Sequence, residues 1–518
     1  MAWIDSAVDT RVNPASLALV FAGLYLLRLV YNRLRPGLSD IPGPTLAKYT
    51  RLWKAYSVWK GNHHLTEIHL HKKHGLMVRI GPKHVSFSDP AAIPTIYGLS
   101  TGFTKTAFYP IQSISWNKKP QMNLFSERNT QAHREQKRLV ANAYSLSHML
   151  EMEHVIDSCT EIFMRKLRAS ADAHEPIDLS EWLQFYAFDV VGEMTFATKL
   201  GFLERGTDVD DMMSTISNIL VYASVCGQVP DAHHFLLGNP IFPLLIPSME
   251  SWNSIVQFTL KCINARVALE RDGEVEGQDK AKTGKDMLSR WLAVHNANPT
   301  KLSTRDIMVH TSTNVFAGSD TTAIALRTIF ASLARNPPVL ARVMQEIDAA
   351  DAAGALSDPI SYRESTTHLP YIAAVFKEAM RIHPSTGLMM EREVPKGGAT
   401  IAGRYFPAGT VVGVNPWSMH RNASVFPDPE AFIPERWLDG SPAELKAREQ
   451  AFFSFGGGSR LCIGKSLALM EMHKLVPQIL RRYEVRLHRP DNPWKIRNVW
   501  FVQQSDMMAD IVPRERCG

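Results

Sequence analysis

Apolar and polar positions fall into distinct regimes along this 518-residue chain. From Pro14 to Tyr31 the residues are almost wholly apolar, with Leu17, Leu19, Val20, Phe21, Leu24, Leu26, Leu27, Leu29 and Val30 interrupted only by Arg28. A helix that crosses a bilayer needs about 20 such residues, so this run predicts a membrane-spanning helix. Asp5 and Asp9 outweigh Arg11 before it, while Arg28, Arg33 and Arg35 close it, which holds its C-terminal side in the cytosol. A cleaved leader would need a basic start and a small-residue cleavage site, and neither is visible. Next comes Ile41-Pro42-Gly43-Pro44, where proline fixes φ and removes donors; a stiff non-helical spacer is expected. Beyond it the pattern is mostly of helical period. The runs 76–80 and 84–88 around Gly81-Pro82-Lys83 predict a β-hairpin, and 410–414 a further strand. Asn336-Pro337-Pro338 and His383-Pro384 read as helix stops, and long helical stretches are expected from about Thr304 to Arg335 and from near Pro370. The expectation is a mainly α body with small β-sheets, residues 36–518, preceded by an anchor at 1–35.

Composition narrows the function classes. With 45% hydrophobic residues the chain can bury a large core. Net charge is +6, but Lys and Arg are dispersed and no basic stripe or recognition module appears, so nucleic acid is not an expected partner. The five cysteines, Cys159, Cys226, Cys262, Cys462 and Cys517, lie far apart without a Cys-x-x-Cys pair. That argues against a zinc ribbon or dithiol site and suits a reducing compartment. The polar loop from Arg271 to Lys285 should lie in solvent.

The most informative segment is Phe455-Gly456-Gly457-Gly458-Ser459-Arg460-Leu461-Cys462-Ile463-Gly464, followed by a helical run from Lys465. Glycines let backbone turn through positive φ and approach a ligand closely. A cysteine at such a turn, beside a helix N-terminus and an arginine, is favoured as thiolate. The segment resembles the cysteine-ligand loop of the cytochrome P-450 family, Phe-x-x-Gly-x-Arg-x-Cys-x-Gly, at Phe455, Gly458, Arg460, Cys462 and Gly464. The resemblance implies haem b with Cys462 as its axial metal ligand, Arg460 on a propionate and Phe455 beside the sulfur. A thiolate pushes electron density through the iron and favours O–O cleavage.

Other stretches fit the same family. Glu378-Ala-Met-Arg381 followed by Pro434-Glu-Arg436-Trp437 implies a buried ion network of Glu378, Arg381 and Arg436. Ala317-Gly318-Ser319-Asp320-Thr321 resembles the oxygen-binding groove, with Thr321 on dioxygen and Asp320 feeding protons. Mid-helix threonines can also bond back one turn and bend the helix. Arg392 aligns with a further propionate cation. His133 and Lys137 stand where the family has Trp and Arg, and Lys offers a carboxylate a point charge without a fork. The text around Ser126–Asn129 and Arg138–Ser145 is similar to the fungal microsomal group that includes pisatin demethylase.

No Gly-x-Gly-x-x-Gly dinucleotide turn is visible, so electrons are expected from a separate NADPH-dependent flavin reductase, with cytochrome b5 as a second candidate donor. Lys465 and Lys474 could dock an acidic partner. The resemblance points to the endoplasmic reticulum membrane, and to hydroxylation or oxidative demethylation of a lipophilic molecule in fungal secondary metabolism or detoxification. By family position the pocket falls at Phe108–Trp116, Asn314–Phe316, Leu388-Met389 and Phe501-Val502, largely apolar stretches. Two alternatives stay open: a haem-thiolate isomerase or dehydratase that needs no reductase, and a non-catalytic haem binder. Asn422-Ala-Ser424 is a glycosylation acceptor in form, expected to stay unmodified on the cytosolic side.

Overall fold

A computed structural model describes residues 14–116, 119–236, 239, 253–272 and 285–514. Asp5, Asp9, Arg11, Cys517 and nearly all of the 271–285 loop lie outside them. Helix α1 (Pro14–Arg33) holds its apolar side chains in the open, with Leu19 74% and Leu27 67% exposed. Twenty residues at 1.5 Å each span about 30 Å, the hydrocarbon thickness of a bilayer. It is the one helix among the described residues long and apolar enough to cross a membrane.

The segment Ile41–Pro44 is non-helical as expected, but it packs onto the body instead of standing off it as a spacer. Leu38 and Ile41 are buried, Arg79 N donates to Pro42 O at 2.7 Å, and a Cβ on Gly43 would stand 2.1 Å from Arg79 O. The buried Arg79 guanidinium donates to the carbonyls of Arg33 (3.2 Å), Leu38 (3.0 Å), Pro82 (2.7 Å) and Asn32. Carbonyls at a helix C-terminus lack intrahelical donors and attract cations, so Arg79 ties the end of α1 to the body. Burying two apolar side chains outweighs the local stiffness of the prolines.

Strands β1 (Met77–Arg79) and β2 (His84–Phe87) form the expected antiparallel hairpin. They join β3 (Thr104–Lys105), β4 (Arg392–Glu393) and β5 (Val411–Val414) in one sheet of order β1-β2-β5-β4-β3. Pairing of β3 with β4 sets Lys105 opposite Arg392. Opposed residues of an antiparallel pair share a face, so two cations from distant sequence stand side by side. A hairpin of β6 (Lys495–Val499) and β7 (Phe501–Ser505) lies elsewhere in the body.

The rest is helical. Those that frame the site are α2 (Thr130–Val140), α3 (Leu179–Phe196), α4 (Thr304–Arg335), α5 (Pro370–Ile382) and α6 (Lys465–Arg482). Ser303 and Asp306 form a capping box that starts α4, and Asn336-Pro337 ends it, as expected. Gly318 lets α3 approach α4: a Cβ there would stand 2.7 Å from Val191 Cγ2. On α5, Arg381 holds Glu378 through Nε and Nη2, both at 2.8 Å, and Arg436 Nε adds a contact at 3.0 Å. Trp437 Nε1 (3.0 Å) and Ile433 N (2.9 Å) complete five donors on one buried carboxylate, which removes the cost of burying its charge.

Candidate active site

The cysteine loop is tied to α5 at Ser454, whose hydroxyl donates to Met380 O at 2.9 Å. Gly456 (φ +71°) and Gly458 (φ +61°) turn the chain through the left-handed region, and Gly458 also passes against Tyr97, where a Cβ would lie 1.7 Å from the carbonyl oxygen. The turn closes when Cys462 N donates to Phe455 O at 2.9 Å. Helix α6 then begins at Lys465, whose Nζ sits 5.6 Å from the centre of the Phe455 ring. Cys462 is accessible, unlike the buried Cys159 and Cys226. The protein nevertheless surrounds its sulfur closely enough that desolvation dominates its ionisation, so it lies in a recess rather than on an outer surface.

That desolvation raises the Cys462 pKa, although the N–H groups of Gly464 and Lys465 and the charges of Lys137 and Lys465 act against it. The expectation of a favoured thiolate is therefore incomplete. Helix and arginine do not outweigh burial, and a cation at the sulfur is what would complete the stabilisation. The donor set fits a thiolate-bound metal centre.

Helix α4 supplies a second wall. Within a long buried stretch, Phe316, Ala317, Gly318 and Thr321 remain partly open. Thr321 Oγ1 donates back to Ala317 O at 2.9 Å, the one-turn bond expected of a mid-helix threonine. Asp320 is one residue away, about 100° around the helix, and is buried on a different face. Gln503 Nε2 donates to its Oδ2 at 2.8 Å and Gln184 Nε2 donates to Oδ1. Burial raises the Asp320 pKa, while the Gln503 bond and the nearby Arg327 charge lower it.

A cationic cluster flanks the loop. Arg460 Nη1 donates to Glu127 O at 2.9 Å, Arg392 Nη1 to Tyr109 OH at 3.0 Å, and Lys137 Nζ to Ser459 O at 3.0 Å. Lys105 is buried, donates to Phe125 O, and lies 4.5 Å from the ring centres of both Tyr109 and Phe125. Among the described residues none of these four cations is ion-paired with a carboxylate. Burial and then Arg392 depress Arg460 to about 10, and burial followed by the Arg392 and Arg460 charges takes Lys105 well down. Uncompensated buried cations are costly, and a ligand with two carboxylates is the complement that would relieve them. His133 is not a further charge. Burial and then its cationic neighbours push it to about 3, so it is a neutral N–H donor.

Lys105, Gln184 and Gln503 carry no sequence signal and are assembled only by the fold. Of the expected pocket stretches, the Phe316 and Phe501 rings face each other at 6.4 Å, and Phe108 lies 5.2 Å from Trp500. Met389 packs instead with Val78, Ile80 and Val411, and Val502 turns away from Phe501, as strand alternation requires, to pack with Ile68 and Trp417. Asn314 accepts from Tyr144 OH at 2.5 Å and donates to Thr195 Oγ1 at 3.3 Å, so both ends of its amide are engaged.

Residues 42–508 match the family model described as cytochrome P-450. The chain is a cytochrome P-450. It is 37% identical to cytochrome P-450 monooxygenase cicH of Emericella nidulans over 96% of this chain and 99% of that one. A cytochrome P-450 monooxygenase of Aspergillus terreus is 35% identical over 94% and 98%, and pisatin demethylase of Fusarium vanettenii 34% over 95% and 92%. As a cytochrome P-450 the chain is a haem-thiolate monooxygenase that works with O2 and with NAD(P)H-derived electrons passed through a reductase.

Two surface expectations change. Lys474 is buried between Glu153 and Asp157, each at 2.7 Å, and cannot greet a partner, whereas Lys465 is exposed. Asn422 is buried and its Nδ2 donates to Ser88 O at 2.8 Å, so in the folded chain that amide is closed to glycosylation regardless of topology.

Proposed function

We propose that this cytochrome P-450 is anchored by residues 1–35 in the endoplasmic reticulum membrane, with the body, 36–518, facing the cytosol. It hydroxylates or oxidatively demethylates a lipophilic small molecule in secondary metabolism or detoxification. Its electrons come from an NADPH-dependent flavin reductase, with cytochrome b5 as an auxiliary donor. Cys462 supplies the sulfur that binds the iron. The observation that carries this reading is the exposed Cys462, with two backbone N–H groups on its sulfur, beside four cations, of which Lys105 and Arg392 are buried and none is ion-paired with a carboxylate among the described residues.

Bound haem supplies the oxygen activation. The chain's own residues hold and order that chemistry. Arg392, Arg460, Lys105 and Lys137 meet the two propionate carboxylates, and His133 adds a neutral N–H. Gly458 and Gly464 keep the loop backbone close to the group, and Phe455 packs beside the sulfur. Ala317 and Gly318 keep α4 low over the recess. Thr321 would turn its hydroxyl from Ala317 O into the recess to give a proton there, and Asp320 would take up a proton and pass it on to replace the one given. The facing Phe316 and Phe501 rings suit an apolar substrate.

The test is spectroscopic. Reduced protein with carbon monoxide should show the long-wavelength Soret band of thiolate ligation, and Cys462→Ala should abolish it while Cys159→Ala and Cys226→Ala leave it intact. A band that survives Cys462→Ala would overturn the assignment.

A further inference from the structure

We propose that Gln184 and Gln503 are positioning residues for the Asp320 carboxylate, with Gln184 the fixed contact and Gln503 the one that opens when a proton enters. This rests on the reading that Asp320 passes protons toward Thr321. The two amides are not equivalent. Gln184 Oε1 accepts from Arg327 Nη2 at 2.6 Å. Arginine has only donors, so this contact locks the amide with its N–H group toward Asp320 Oδ1. Arg327 is itself held by Ser180 O, which accepts from Nε at 2.8 Å and from Nη2. Arg327 stands two turns after Asp320 on α4, and Gln184 one turn after Ser180 on α3, so the chain Arg327–Gln184–Asp320 is braced from both helices. Arg327 is buried and, among the described residues, ion-paired with no carboxylate; the nearest compensating charge is Asp320, through the intervening amide.

Gln503 is held more loosely. It is only partly buried, and its Oε1 meets Ser217 Oγ at 3.5 Å, the outer limit of a hydrogen bond. A hydroxyl can donate or accept, so Ser217 does not fix which way this amide faces. With N–H donors on both oxygens Asp320 rests as the anion. Each oxygen keeps a second lone pair, but a proton is accommodated more easily where the donor can turn away, and that is Oδ2. The strand that carries Gln503 also carries Phe501, which faces Phe316, so the movable contact sits beside the apolar recess. The charged group facing Asp320 is Arg327, on its own helix α4; Asp178 and Glu181, at the start of α3, act on Arg327 in turn, and β7 presents only neutral groups.

The experiment uses full-length haem-loaded protein, with the carbon monoxide band as the control for intact fold in each variant. Infrared difference spectra of wild type against Asp320→Asn at neutral pH should show no carboxylic C=O band; a band there means Asp320 rests protonated and overturns the clamp. Gln184→Glu keeps an acceptor for Arg327 but sets a second carboxylate against Asp320, so the pair must share a proton. It should gain a carboxylic band that disappears when Asp320→Asn is added. NADPH oxidation with added reductase should fall by at least about tenfold in Gln184→Glu, a modest part of what a positioned proton donor contributes. Gln503→Glu, which places a group able to pass protons at the entry side, should retain most of the rate. Equal losses in the two variants would overturn the fixed and movable assignment. An unchanged rate in Asp320→Asn would remove the relay reading and leave the infrared result on the resting carboxylate standing.

Discussion

Gly458 and Gly456 offer a matched pair, because both sit at nearly the same positive φ, +61° and +71°, within the loop that carries Cys462. Alanine in the left-handed region costs about 1–2 kcal/mol at either position. At Gly456 nothing else is lost, since the new Cβ would stand 3.7 Å from Met390 Sδ, an ordinary contact. At Gly458 the Cβ would lie 1.7 Å from Tyr97 O, a backbone atom that no rotamer change can move. Tyr97 is poorly placed to yield. Its hydroxyl donates to Met390 O at 2.6 Å and accepts from Val414 N at 2.8 Å, and its ring lies 4.7 Å from that of Phe453. The cysteine loop must therefore shift by more than an ångström, at an overpacking cost of about 1–3 kcal/mol, so Gly458→Ala should lose roughly 2–5 kcal/mol in all. The shift would strain the Cys462 N to Phe455 O bond and displace the sulfur. Gly458→Ala should show reduced haem content, a carbon monoxide band moved to shorter wavelength and a lowered melting temperature. Gly456→Ala should keep the wild-type band with a small loss of stability. Equal behaviour of the two variants in content, band and melting would refute the reasoning.

Lys105→Met should act with opposite signs on two states: the haem-free protein gains stability as a buried unpaired cation is removed, while the holoprotein transfers haem faster to apomyoglobin. Haem retention equal to wild type would show that Lys105 meets no carboxylate. His473, on α6, is held near 4 by burial and pairs with Ser365 at 2.9 Å. Its folded pKa lies below the unfolded value of about 6.5, so unfolding takes up a proton below that pH and wild-type stability falls on acidification. Relative to His473→Gln, wild type should lose about 1.4 kcal/mol per pH unit from 6.5 down to about 4, read from urea midpoints, and hold a constant difference above pH 7. Lys465→Glu should raise the apparent Michaelis constant for reductase without lowering the melting temperature. Lys474→Glu should instead destabilise the fold, because it places an anion between Glu153 and Asp157; the reverse pattern would return Lys474 to the docking surface.

What could be read from the chain depended on how local the determining contacts were. The bounds of α4 follow from a capping serine at one end and a proline at the other, both adjacent in sequence, and the structure keeps them to the residue. The cysteine loop is likewise local, being closed by a hydrogen bond between Phe455 and Cys462. The reading of Ile41–Pro44 as a spacer weighed only local stiffness, and the burial of Leu38 and Ile41 against the sheet decided otherwise. Lys105 lay beyond reach, because its neighbour Arg392 arrives through a strand pairing across most of the chain. Gln184 and Gln503 are similar, ordinary amides until three elements bring them to one carboxylate. Lys474 was likewise beyond local reach. The first turn of α6 is open to solvent, and from Met470 to Arg481 the helix is buried on every side, so Lys465 is exposed and Lys474 buried by their depth along the helix. Helical phase does separate Asp320 from Thr321. Neighbours in sequence lie 100° apart on α4, so the acid can be clamped by amides on one face while the alcohol stays open to the recess on the next.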